Sequence, residues 1–149
     1  MIQEEKALLL KDLSSRLPYG VKCWASYNKF PTTLVDVNVD TNVGDDLFII
    51  TVKLEKTGLN KPSLIEDIKP YLRSMSSMTD DEAKELSKVL NYEFYIDDDF
   101  ALAAEDDRHR IRLELCEGYI DWLNAHHFDF RGLIEKGLAL EAPEGMYKN

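Results

Sequence analysis

Seven carboxylates fall between Glu93 and Asp107 with no lysine or arginine among them: Glu93, Asp97, Asp98, Asp99, Glu105, Asp106 and Asp107. Clustered carboxylates are the natural ligands of hard divalent cations, which take oxygen donors. The spacing does not match a calcium loop. Asp97, Asp98 and Asp99 are contiguous, whereas the loop alternates its acids around a central glycine. On a strand, adjacent residues point to opposite faces, so such a run converges poorly on one ion. The plainer expectation is two solvated turns flanking Phe100 to Ala104. A surface for a basic partner is a third reading.

Histidine chemistry is the next candidate. His126, His127 and Asp129 have the residue types of a metal site. Their spacing is again poor, because helical neighbours diverge by about 100°, while a helical zinc pair sits at i and i+4. A helix C-terminus also favours imidazoles through its dipole. A structural role is therefore expected for both histidines. Ser74, Ser76 and Ser77 lack the surroundings of an activated nucleophile. The basic run Arg108, Arg110 and Arg112 follows the acids directly and is expected to be neutralised by them. The segment around Tyr71, Arg73 and Met75 has the composition of a contact surface, as does Trp122. The competing expectation is that Tyr71, Leu72, Met75, Met78 and Trp122 cover a core. No phosphate loop, nucleotide fingerprint or zinc spacing occurs, so no cofactor is expected.

These residues need elements to hold them. Gln3 to Leu17 reads as a helix, with Ala7, Leu10, Leu13 and Leu17 in one stripe and Leu9 widening it. Pro18-Tyr19-Gly20 ends it. The period then changes to two. Val21, Cys23, Ala25 and Tyr27 form one run; Val35, Val37 and Val39 a second; Phe48, Ile50, Val52 and Leu54 a third. Asn28 to Pro31 and Thr41 to Asp45 read as the turns between them, and Thr57 to Pro62 as a loop. An antiparallel meander follows. The stretch from Ser63 to Met75 is ambiguous because Pro70 interrupts a helical pattern. It reads as a short strand or a broken helical turn. Thr79 to Glu82 is a capping box, opening a helix to about Leu90 with Ala83, Leu86, Val89 and Leu90 inward. Strands are expected at Glu93 to Ile96 and Arg110 to Leu115. A helix is expected from about Glu117 to His127, another short one from Arg131 to Lys136, and a docked coil after Glu141. The expected fold is one α+β domain over residues 1–149: an antiparallel meander with an N-terminal helix and C-terminal helices packed on it.

Composition narrows the function. The chain has 149 residues, 18 Lys+Arg against 28 Asp+Glu, and a formal net charge of −10. Such a charge disfavours nonspecific nucleic-acid or anionic-membrane binding, which needs clustered cations. No apolar stretch has the length of a membrane span, which needs about 20 residues. The first residues are acidic where a secretory leader is basic, so a cytoplasmic protein is expected. The two cysteines, Cys23 and Cys116, lie in alternating apolar runs and are expected to be buried free thiols.

Three stretches are familiar. Residues 69–79 read KPYLRSMSSMT, residues 121–147 read DWLNAHHFDFRGLIEKGLALEAPEGMY, and residues 4–22 read EEKALLLKDLSSRLPYGVK. Together they resemble a family of small proteins from gut Bacteroidetes and their phages. Ser74 stands where that family's pattern has proline. The resemblance implies a bacterial or prophage setting and carries over no catalytic residue. The leading expectation is a non-enzymatic protein-binding or regulatory module with Tyr71, Arg73, Met75 and Trp122 in its contact surface. The rival is a metal-dependent hydrolase or transferase using His126, His127 and Asp129 or the Asp97–Asp99 run. A third reading is an acidic mimic of DNA. A homodimer through an edge strand or an apolar helix face stays open.

Overall fold

The computed structural model describes residues 1–40, 47–90, 94–96, 102–104 and 117–147. The chain divides into two compact units: Met1–Leu72 with Arg131–Asn149, and Arg73–Phe130. The second is inserted in sequence between two strands of the first. The architecture is α+β, with an N-terminal helix, a six-stranded, mostly antiparallel sheet and helices in the later chain.

In the first unit, α1 spans Gln3–Arg16 and ends through a 3-10 turn at Leu17–Tyr19. Gly20, at φ 66°, takes the left-handed conformation that turns the chain away. The buried stripe is Leu9, Asp12, Leu13 and Arg16, at helical spacing. Leu10 and Leu17 are half-buried and Ala7 is exposed, so the expected stripe is rotated. Two charged residues occupy its inner positions because they pair with each other, which hydrophobic periodicity does not reveal.

Four strands form the meander, β1 Lys22–Ala25, β2 Asn28–Asp40, β3 Leu47–Leu54 and β4 Asn60–Leu64, and a fifth, β5 Ile68–Leu72, joins the sheet beside β1. With β8, Leu140–Glu141, the order is β4-β3-β2-β1-β5-β8. All pairs are antiparallel except β5 with β8. β5 thus returns to pair with β1. Its approach is a 3-10 turn at Ile65–Asp67. The inner face buries Cys23, Ala25, Leu34, Phe48, Ile50, Val52, Ile68 and Leu72 against Leu9 and Leu13 of α1 and Leu133, Leu138 and Ala139 of the C-terminal segment. Cys23 is a buried free thiol, as expected; Cys116 lies outside the described residues.

Three expectations are corrected, each at a proline or glycine. Asn28 to Pro31 is strand; the turn is Ser26-Tyr27. A two-residue connection suffices for a hairpin. The β1–β2 register shifts between Cys23 and Ala25, and such a bulge tolerates Pro31. Asn60 to Pro62 is also strand, on the sheet edge, where proline's missing donor costs little. Of the two readings open for Ser63 to Met75, the strand is found: Pro70 sits inside β5, opposite Cys23, and β8 pairs only with Tyr71 and Leu72. Pro70 therefore has one strand neighbour. Residues 131–137 form turns instead of a helix. Gly132 and Gly137, at φ 72° and 74°, bracket the segment in the left-handed region.

In the second unit, α2 spans Asp80–Leu90 and α3 spans Glu117–Ala125. Between them β6, Phe94–Ile96, pairs with β7, Leu102–Ala104. The core is Met75, Leu86, Tyr119, Trp122, Leu123 and Phe128. Val89, expected inward, is 50% exposed. The expected turn at Thr41 to Asp45, the strand at Arg110 to Leu115, the Asp97–Asp99 run and the basic run Arg108 to Arg112 lie outside the described residues.

Candidate functional site

The expected capping box is present. Thr79 donates its N–H to Glu82 Oε1 at 3.0 Å, and Thr79 Oγ1 accepts the Glu82 N–H at 3.2 Å. The same carboxylate has a second task. Arg73 donates through both terminal nitrogens to Glu82, each at 2.7 Å. Such a bidentate pair fixes the guanidinium plane. That plane lies 4.2 Å from the centroid of the Phe128 ring. Burial pushes the Glu82 carboxyl up, but the Arg73 and Thr79 bonds outweigh it and hold the pKa at about 2. The backbones join as well: the Arg73 N–H reaches the His127 carbonyl at 2.7 Å, and the Asp129 N–H reaches the Arg73 carbonyl at 2.7 Å. Arg73 therefore ties the 69–79 stretch to the 121–147 stretch. Met75 and Trp122 are each 7% exposed, within the core. Neither they nor Arg73 make the exposed contact surface expected of them.

The histidines finish α3. The His127 N–H bonds the Asn124 carbonyl, and the Phe128 N–H bonds the Leu123 carbonyl. This is a Schellman ending with His127 in the left-handed position that glycine usually fills, at φ 63°. Its hydrophobic contact is supplied by Leu123 and Phe128, both fully buried. One position earlier, His126 Nδ1 lies 2.9 Å from the Trp122 carbonyl, and its ring stacks on the Trp122 indole at 3.9 Å. Both histidines thus act as caps. Asp129 is buried beside them in sequence. Among the described residues, no group of three His, Cys, Asp or Glu side chains is placed to hold a metal ion.

In the first unit, Asp12 is fully buried and receives two guanidinium groups. Arg16 Nε donates to Oδ2 at 2.8 Å, and Arg131 donates to Oδ1 at 2.7 Å. This pins residue 131 to α1. The chain's end is pinned separately. The β1–β5 ladder stops at Cys23–Pro70. At the next position the Tyr147 hydroxyl takes the place of a rung. It accepts the Lys22 N–H at 2.9 Å and donates to the Tyr71 carbonyl at 2.7 Å. Burial pushes this phenol well above its ordinary range. Lys22, Tyr71 and Tyr147 come one each from the three familiar stretches. None of Asp12, Arg16, Arg131 and Tyr147 was expected to matter. Only the i, i+4 spacing of Asp12 and Arg16 signals it in the sequence.

What remains is the outer face of the sheet. Strand alternation places Lys22, Trp24, Lys69 and Tyr71 on the face opposite the core. Trp24 stands opposite Lys69, whose ammonium lies over the indole at 5.9 Å from its centroid. Lys22 pairs across to Thr33, and Thr33 to Lys53. The two aromatic residues are diagonal neighbours, about 7–8 Å apart by sheet geometry. Further along, Ile49 stands beside Leu64, which is 44% exposed. Asp36, opposite Thr51, and Asp40, opposite Leu47, lie on the same face. The face is thus an aromatic and cationic patch at its β1–β5 end, grading into an apolar end that also carries these two acids. The Lys22 ammonium pairs with Glu55, while Lys53 and Lys69 form no ion pair among the described residues.

Charge is divided between the units. Arg73–Phe130 contains 15 acids against 6 cations, and the rest of the chain 13 against 12. The net charge of −10 therefore belongs almost wholly to the inserted unit. No family model, no curated protein and no solved structure matches the chain.

Proposed function

We propose that the chain is a non-enzymatic protein-binding or regulatory module that meets its partner through the outer face of the sheet. The phage or mobile-element setting and the cytoplasm are the context that the resemblance and the sequence suggest. One observation carries the reading: Trp24 and Tyr71 stand side by side on that face with Lys22, Lys53 and Lys69 around them. Tryptophan and tyrosine contribute most of the energy at many protein contacts. Of the residues singled out in the sequence, Tyr71 belongs to this face. Arg73, Met75, Trp122, His126 and His127 support the reading from the other side, because the second unit uses them internally.

Quantitative affinity capture tests this. Wild type is compared with Trp24→Ser and with an internal control, His126→Gln. The reading expects a protein retained by wild type and by the control and lost by Trp24→Ser. Identical capture by all three proteins would remove the outer face from the account. Calorimetric titration with Zn²⁺, Mn²⁺ and Mg²⁺ tests the metal-dependent alternative, which requires heat and a raised melting temperature.

A further inference from the structure

We infer that the partner offers an acidic, extended peptide segment, which lies across Trp24 and Tyr71 with its carboxylates against Lys53 and Lys69. This rests on the outer-face reading and adds the partner's chemistry. Lysines without acidic partners beside outer-face rings complement an acidic ligand. The second unit has an excess of nine acids. On the outer face Lys53 and Lys69 flank the aromatic pair without an ion-pair partner among the described residues, Lys22 is paired with Glu55, and the acids Asp36 and Asp40 lie further along β2. Lys22, Thr33 and Lys53 form one row across three strands, and Lys69 stands opposite Trp24 two residues along. Lys53 is exposed and without an ion-pair partner among the described residues. Lys69 is engaged only with the indole. An ammonium over an aromatic face keeps donors free for an oxygen ligand.

The geometry selects the form of the ligand. Cations and aromatics alternate over strand spacings, so a segment laid across them meets a ring and an ammonium in turn. Carboxylates on a chain repeat at comparable intervals when it is extended. Exposed ion pairs contribute little each. The rings must therefore supply much of the contact, and the lysines choose the sign of the ligand. A single-stranded nucleic acid would also meet rings and cations. It brings an unbroken line of phosphates, and a chain of net charge −10 repels that more than it repels a few carboxylates.

Fluorescence polarisation on the full chain tests the inference with three labelled probes. One is a peptide of about a dozen residues alternating Glu or Asp with aromatic and aliphatic residues; one is its Gln/Asn counterpart; one is a single strand of about a dozen nucleotides. The acidic peptide is expected to bind about tenfold or more tightly than the amide peptide, with the advantage falling as salt is raised. The double variant Lys53→Glu/Lys69→Glu should lose that advantage, and the milder Lys53→Gln/Lys69→Gln should lose part of it. Both should keep the wild-type melting temperature, since neither lysine is in the core. Trp24→Ser should weaken both peptides. Equal binding of the two peptides, lost on Trp24→Ser, would overturn the acidic partner and leave the outer face standing. Tighter binding of the oligonucleotide would overturn the partner class. Binding by none of the probes would overturn the inference, and the capture experiment would then decide the face.

Discussion

Arg73 shows how one side chain can hold together pieces that the sequence keeps far apart. Its guanidinium bonds Glu82 twice, covers Phe128, and its backbone bridges to His127 and Asp129. Arg73→Gln should destabilise the protein by about 1.5–3 kcal/mol, the range for hydrogen bonds to charged groups, read as a lower urea midpoint. The pH dependence has a definite sign. The Glu82 pKa falls from an ordinary 4.5 to about 2 in the folded state. Its contribution is thus complete above the ordinary value and is lost as pH drops toward about 2. Arg73→Gln should flatten that part of the acid-unfolding curve; an unchanged curve would place the acid sensitivity elsewhere. Tyr147→Phe tests the other tie. It leaves the Lys22 N–H and the Tyr71 carbonyl without their shared hydroxyl, at a cost of about 1–3 kcal/mol. Hydrogen exchange should speed up at the Lys22 amide, and unchanged exchange there would count against the bridging role.

At the scale of elements, the sequence was most legible where one rule acted alone. The Thr79–Glu82 box and the α2 bounds were plain because the cap and the apolar spacing agree. Thr79→Ala should cost about 0.5–2 kcal/mol, measured by thermal melting, and a loss near zero would mean that Arg73 alone positions Glu82. The meander was legible from alternation. Pro31 and Pro62 misled, and Pro70 left β5 open between strand and broken turn, because all three sit where the ladder makes no demand on their nitrogen. That depends on which strands are neighbours, a fact of tertiary structure. The same limit hid the site. Trp24 lies between residues of an alternating strand and carries no motif of its own, and only the pairing of β1 with β5 brings it beside Lys69 and Tyr71. Conversely, Met75 and Trp122 looked like contact residues by type and are core by position.

At the scale of the molecule, the acidity first counted over the whole chain becomes a property of one unit. Fifteen acids against 6 cations within Arg73–Phe130 imply self-repulsion that salt screens. The melting temperature should therefore rise as sodium chloride is raised from about 10 mM to about 200 mM, since the Debye length shortens from about 30 Å to under 10 Å. A flat or falling dependence would mean that the acids are already locally neutralised. The remaining unit is close to neutral, and its outer face is where the account places contact. The most direct test is the backbone amide spectrum of the full chain titrated with the acidic peptide. Shifts should cluster at Lys22, Trp24, Thr33, Lys53, Lys69 and Tyr71, with Leu86, Leu123 and His126 unmoved. Shifts confined to Arg73–Phe130, or a spectrum unchanged at saturating peptide, would contradict contact at the outer face.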